Sequence, residues 1–296
     1  MKNTLLITGG AGYLGQHLIS HAGSWRTHAT YFQTPPPEGL QTTWHHCDLR
    51  DGGRVKELIT SLHPDVIIHT ACSNRSLEEI EAIVPAARNL AQGAKESPCR
   101  LIHLSSDLVF DGEDAPYDEK SRPKPINDYG QAKAEAEHSV AALFPKAAIV
   151  RTSLMYGMDP VDHQSRWLLD GLNKGQTIQL FTDEIRCPIW IHTLTECLLE
   201  LTRMDFSGML NIAGPDPLTR WEFGLGILAL HNRTPTERIV PSTRAEAGLI
   251  RPRDLTLNIE KVKHILNIPL LSLREVHQRH YSRDSTSVKP TVESTS

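Results

Sequence analysis

The sequence predicts an α/β chain with a doubly wound, mostly parallel sheet and a smaller C-terminal lobe. Three observations predict it. Short apolar runs alternate with helix-period segments through the first half, glycines at regular spacing open the first helix, and beyond Arg151 prolines break the rhythm into shorter pieces. Strands that alternate with helices imply parallel pairing, because a parallel neighbour is reached only through a long, usually helical crossover.

Strands are expected at Thr4–Thr8, Ala29–Phe32, Trp44–Cys47, Val66–Thr70, Leu101–Ser105 and Ala147–Thr152, and helices at Gly12–Ala22, Leu77–Ala94 and Tyr129–Leu143. In the second helix Leu77, Ile80, Ile83, Val84, Ala87 and Leu90 recur close to the helical period. Residues 1–155 then form the sheet domain, which a later segment rejoins, and residues 156–281 are mainly a lobe for substrate. From Ser282 the run SRDSTSVKPTVESTS has too little apolar surface to offset the entropy of ordering, so 282–296 is expected to be a disordered tail.

A formal charge of -4 over 296 residues excludes the basic surface that nucleic acid requires. The opening apolar run is too short for a signal peptide and no segment is long enough to span a bilayer, which points to the cytoplasm and to no membrane partner. The five cysteines are odd in number and lack CxxC spacing, so free buried thiols are expected. The histidines are scattered and none sits at ligand spacing from a Cys or carboxylate, so no metal is expected.

After the first strand comes TGGAGYLG, in which Gly9, Gly12 and Gly15 have GxxGxxG spacing, with Tyr13 and Leu14 between the last two. Such glycines let the backbone turn tightly and approach a pyrophosphate, whose charge is met by the helix opening there; this makes the sheet Rossmann-type and the ligand a dinucleotide. Asp48 and Leu49 follow the third strand, where a carboxylate can accept from an adenine amino group, although Asp48 also fits a turn and Asp51 fits a helix N-cap. Thr70, Ala71 and Cys72 end the fourth strand with small side chains, as a nearby ribose and pyrophosphate would require.

The most specific signal is Tyr129-Gly130-Gln131-Ala132-Lys133, preceded by Ser105-Ser106-Asp107 at the end of the fifth strand. Tyr and Lys four apart share a helix face, and a cation beneath a phenol favours the phenolate, bringing its proton within reach of neutral-pH chemistry. Ser106 can then hold a carbonyl oxygen that Tyr129 protonates.

TGGAGYLG, HLSSDLVFDG, PYDEKSRPKPINDYGQAKAEAE and RTSLMYG together resemble the extended short-chain dehydrogenase/reductases, within them the dTDP-4-dehydrorhamnose reductase branch, over roughly residues 1 to 280. The resemblance implies a Ser106, Tyr129, Lys133 triad, Lys133 also bonding the nicotinamide ribose, and a nucleotide-sugar ketone as substrate; the assembly is left open, a homodimer among the choices. Leu108 and Leu154 depart from the aromatic residues found at those places in the rhamnose enzymes, which leaves the sugar open. The same branch includes the regulatory β subunit of methionine adenosyltransferase, so a cofactor-binding subunit without turnover is the alternative.

The second strand ends at Gln33 and Thr34 with no acidic residue to repel a 2′-phosphate, so NADP(H) is slightly favoured over NAD(H), with Arg26 or Arg50 as phosphate partners. Arg186 and Arg251 resemble residues lining the substrate cleft of this family, and arginine forks suit a diphosphate. The alternative is that Arg186 pairs with Asp183 or Glu184 while Arg251 sits in solvent.

Overall fold

A computed structural model of the chain describes residues 3–71 and 76–285. Strand β1 (Thr4–Thr8) is followed by α1 (Tyr13–His21), β2 (Arg26–Tyr31), β3 (Thr43–His46), α2 (Gly52–Leu62), β4 (Val66–His69), α3 (Leu77–Lys95), β5 (Arg100–Ser106), α4 (Asp128–Leu143) and β6 (Ala148–Thr152). Every expected strand and helix forms, with ends displaced by at most three residues. The largest shift, at the start of β2, arises because Arg26 and Thr27 pair through their backbones with Thr4 and Leu5, whatever their side chains.

Next come β7 (Met155–Tyr156), α5 (His163–Asn173), β8 (Ile178–Phe181), β9 (Ile185–Arg186), β10 (Ile189–Trp190), α6 (Ile191–Leu201) and β11 (Gly208–Asn211). The chain closes with β12 (Leu218–Thr219), α7 (Arg220–Leu230), β13 (Ile239–Ser242), α8 (Glu260–Ile265) and α9 (Leu273–Ser285). Seven strands build one sheet in the order β3-β2-β1-β4-β5-β6-β11, every pair parallel. The order reverses between β1 and β4, and at such a switch point the carboxyl ends of neighbouring strands part to leave a crevice.

Side chains alternate across the sheet as a period of two requires. Leu5 and Ile7 meet Leu14 and Leu18 of α1 and Leu194 and Leu198 of α6, whereas Leu6 meets Val55 and Ile59 of α2, Leu90 of α3 and Val140 of α4. Full burial of each such side chain is worth about 1.5–3 kcal/mol. The three two-stranded pairs β7–β10, β8–β13 and β9–β12 lie outside the main sheet, and Tyr156, Leu168, Phe223 and Ile227 form a separate core there.

Helix α9 runs to Ser285, past the expected start of the tail at Ser282, because Tyr281 donates to the Leu230 carbonyl at 3.0 Å and helix propagation carries the chain onward from that anchor. Cys72 and residues 286–296 lie outside the described residues.

The sheet interior holds two neutral imidazoles. His69 and His103 are partners across β4 and β5 with ring centroids 5.1 Å apart, and neither nitrogen of His103 has a hydrogen-bond partner among the described residues. Burial, aided by the nearby Lys133 charge, pulls His69 down to about 3, and burial takes His103 well below its usual range. Both are neutral when folded and free to protonate when unfolded, so below the unfolded pKa of roughly 6.5 the unfolded state binds more protons. Stability therefore falls with falling pH by about 1.4 kcal/mol per unit for each ring. His103→Leu loses no hydrogen bond; it is expected to hold or raise stability at pH 7 and to remove about one ring's share of this slope, as urea denaturation at pH 7, 6 and 5 will measure.

Candidate functional site

A cleft of about 710 Å³ opens at the switch point, within the size range of small-molecule sites. The Gly9–Gly15 loop forms its floor. Gly9 has φ +75°, and a Cβ there would stand 2.6 Å from the Ala71 Cα; one on Gly15 would collide with the Gly9 carbonyl. Both positions therefore require glycine. Gly12, Tyr13 and Leu14 also line the cleft, and α1 starts at Gly12 with no side-chain cap and no acidic residue in its first turn. The first amides of α1 are thus left to an anion.

Thr70 and Ala71 line the same wall, with the Thr70 hydroxyl donating to the Thr8 carbonyl at 2.8 Å. Tyr13 Oη, Ser105 Oγ and Thr152 Oγ1 are buried beside the cleft without hydrogen-bond partners among the described residues. Glycine floor, uncapped helix and orphaned polar atoms together fit an extended, phosphate-bearing ligand such as a nicotinamide dinucleotide.

At one rim Asp48 and Leu49 line the cleft with Gln33 and Arg50. The Arg50 guanidinium donates to both oxygens of Asp48, at 2.7 Å from Nη2, holding that carboxyl below its usual range, and it reaches Glu78 at 3.1 Å. Gln33 donates to the other Glu78 oxygen at 2.9 Å. Asp51 is the N-cap of α2, accepting from the Arg54 amide. Arg26 is excluded from the cleft: it bonds the Thr4 hydroxyl at the opposite, amino end of the strands.

At the other end Ser106, Tyr129 and Lys133 line the cleft together. Ser106 ends β5 and caps the single 3₁₀ turn Asp107–Val109, accepting from the Leu108 amide at 3.2 Å. Asn127 caps α4 by accepting from the Gly130 amide, and a Cβ on Gly130 would run into the Leu108 carbonyl. Gly130 is thus what lets α4 lie against that turn and bring Tyr129 to Ser106. Sequence reading passed over it, although a glycine in a first helical turn is a signal of close approach. Lys133 is buried, donates to the Leu104 carbonyl at 3.1 Å and stands 5.9 Å from the Tyr129 ring centre.

Leu108 and Leu154 face the cleft beside these groups. Asp107 does not line it. Its carboxylate is wholly buried, receiving Nε and Nη2 of Arg186 and the Ser153 hydroxyl at 2.6 Å. Arg186 lines the cleft and pairs with Asp107 rather than with Asp183, while Glu184 lies 3.9 Å away. Arg251 stands outside the lining, paired with Glu184 at 3.2 Å and stacked over Phe181. The sequence reading missed Gln164, which lines the cleft and accepts from Arg220 at 2.7 Å. Burial pulls Arg220 down to about 10, still protonated at neutral pH.

A seven-stranded parallel sheet with a glycine floor at its switch point is the Rossmann-type α/β architecture of the extended short-chain dehydrogenase/reductases. More narrowly, the chain belongs to the RmlD substrate binding domain family, whose profile matches residues 1–285. It is 31% identical over 238 residues to a probable low-salt glycan biosynthesis reductase of Haloferax volcanii, covering 74% of this chain and 77% of that one. It is 29% identical over 280 residues to methionine adenosyltransferase 2 subunit beta of Xenopus tropicalis, covering 88% and 81%. Among solved structures, dTDP-4-dehydrorhamnose reductase of Bacillus anthracis in complex with NADP superposes with a TM-score of 0.79 at 23% identity, covering 96% of this chain and all of that one.

No described helix is long and apolar enough to cross a membrane. The buried Asp107–Arg186 pair has a measurable signature. Arg186→Ala is expected to destabilise the protein by about 3–5 kcal/mol by leaving a buried carboxylate unpaired, whereas Asp107→Leu with Arg186→Met should cost much less. Chemical denaturation of the two variants checks the difference.

Proposed function

We propose that this chain is an NAD(P)H-dependent reductase of a keto group on a nucleotide-activated sugar. The observation that carries the reading is that one cleft joins a glycine floor and uncapped helix, suited to a dinucleotide, to Ser106, Tyr129 and Lys133. A bound nicotinamide supplies hydride in this chemistry. The chain's own groups supply the rest. The Ser106 hydroxyl holds the carbonyl oxygen, Tyr129 Oη delivers the proton as that oxygen becomes a hydroxyl, and the Lys133 ammonium favours the phenolate left behind.

Leu108 and Leu154 give the sugar an apolar wall in place of an aromatic one. Arg186, Arg220 and Arg251 are matched by the carboxylates of Asp107, Glu184 and Asp162, the last of which also lines the cleft, so the lobe side offers a diphosphate arginine N–H donors rather than a net positive charge. Arg186 is the one of the three that reaches the cleft lining.

For the cofactor, NADP(H) is slightly favoured because Gln33 and Thr34 set no carboxylate at the end of β2 and Arg50 lies at the same rim. Gln33→Asp adds a negative charge there and should shift preference toward NADH, by an amount that shrinks as salt rises. Calorimetric titration of the wild type and Gln33→Asp with NADPH and NADH at low and high salt measures the shift.

The likeness to methionine adenosyltransferase 2 subunit beta supports a second reading, a cofactor-binding subunit without turnover. Tyr129→Phe separates the two. It keeps the ring but removes the transferable proton, so turnover on nucleotide 4-keto sugars should fall about 100- to 10,000-fold while cofactor affinity is unchanged. If the wild-type protein oxidises neither NADPH nor NADH with any such sugar, the second reading replaces the first.

A further inference from the structure

Helix α1 carries His17 and His21 four residues apart, so both imidazoles leave one face of the helix. His192, the second residue of α6, meets them from the facing element. No local pattern announces this meeting, because 171 residues separate His21 from His192. The expectation of no metal-ligand spacing rested on sequence neighbours alone, and the packing of α1 against α6 supplies what the spacing lacked.

The geometry around these rings is that of ligands. One nitrogen from each of the three lies within 4.8 Å of the other two. His21 Nε2 and His192 Nδ1 are 3.3 Å apart. Two nitrogens bound to a tetrahedral zinc ion at about 2.0–2.1 Å stand roughly 3.3–3.4 Å from each other. The Nδ1 of His21 lies 2.8 Å from the carbonyl oxygen of His17, and a carbonyl only accepts, so the proton sits on Nδ1 and Nε2 presents its lone pair. Metal-bound histidines are oriented in this way, by donating the other ring N–H to a backbone carbonyl.

His17 provides the second, independent observation. It is 4% exposed, and its Nε2 is a buried polar atom with no hydrogen-bond partner among the described residues. Buried polar atoms are nearly always paired, so one left bare among two other imidazoles needs a partner that protein atoms do not provide. His21 is exposed, which gives an ion a path inward and a water a place as fourth ligand.

We propose that His17, His21 and His192 form a three-imidazole site for a divalent transition metal of the zinc class, joining α1 to α6. None of the three lines the cleft. The site clasps the helix that follows the glycine floor to the helix packed beside it, so the ion strengthens the support of the cleft without touching its contents. Imidazoles without a carboxylate or thiolate select zinc, copper or nickel over magnesium and calcium.

The test uses the untagged protein after treatment with a chelator. Calorimetric titration with Zn²⁺ should give one ion per chain with a Kd at or below the low micromolar range, and thermal stability should rise with the logarithm of Zn²⁺ concentration above that Kd. His21→Asn with His192→Asn, which leaves the buried His17 in place, should weaken binding by more than about 100-fold, since losing ligands exceeds the 10–100-fold cost of losing an outer-shell partner. Co²⁺ added to the wild-type protein should give visible d–d bands of a tetrahedral site without the near-ultraviolet charge-transfer band of a thiolate. The proposal is overturned if the wild type shows no saturable binding, if the double variant binds as tightly, or if Co²⁺ gives the thiolate band and so sits on cysteine.

Discussion

The carboxylate of Asp107 has no exposed surface, and it takes two N–H donors from Arg186 and a hydroxyl proton from Ser153. Asp107 begins the 3₁₀ turn that follows β5, Arg186 ends β9, and Ser153 follows β6, so a single buried charge locks the sheet to the lobe. Ser106 is fixed immediately before that turn, and the Leu108 carbonyl within it is the surface on which Gly130 rests. The relative positions of Ser106, Tyr129 and Lys133 follow from these contacts. A buried ion pair of this kind adds little net stability, but it tolerates few other arrangements, because an unpaired member would be strongly penalised.

The cleft divides its tasks along its length. At the glycine end the backbone itself is the binding group, and side chains are excluded by collision at Gly9 and Gly15. At the β3 rim a network of Gln33, Arg50, Asp48 and Glu78 holds long side chains in one arrangement at the entrance. At the far end, chemistry-bearing hydroxyls and the Lys133 ammonium stand between apolar Leu108 and Leu154 and the arginine-rich lobe. Charged side chains therefore sit toward the two ends of the cleft, and the glycine floor presents backbone.

Imidazoles occur in this fold in two distinct settings. His69 and His103 are sealed between strands and forced neutral by desolvation. His17, His21 and His192 converge at a helix–helix contact open on one side, where three ring nitrogens face one another. The first setting makes the chain sensitive to acid, and the second gives it a ligand set, although nothing in the residue type distinguishes them.

The sequence by itself determined the strand and helix series of the first half, the glycine floor and the Tyr129–Lys133 pair, because each is written in local spacing: a period of two or 3.6, glycines every third residue, or a Tyr–Lys pair one turn apart; Ser106 joined that pair through the family resemblance. It did not reveal the roles of Asp107, Arg186 and Arg251. Asp107 and Arg186 are 79 residues apart, and only the packing of the lobe on the sheet decides that they satisfy each other while the half-exposed Arg251 pairs with the buried Glu184. Gln164, Arg220 and the three-histidine group were hidden for the same reason. Contacts between distant elements depend on how buried surfaces fit together in space, and no residue's neighbours along the chain record that fit.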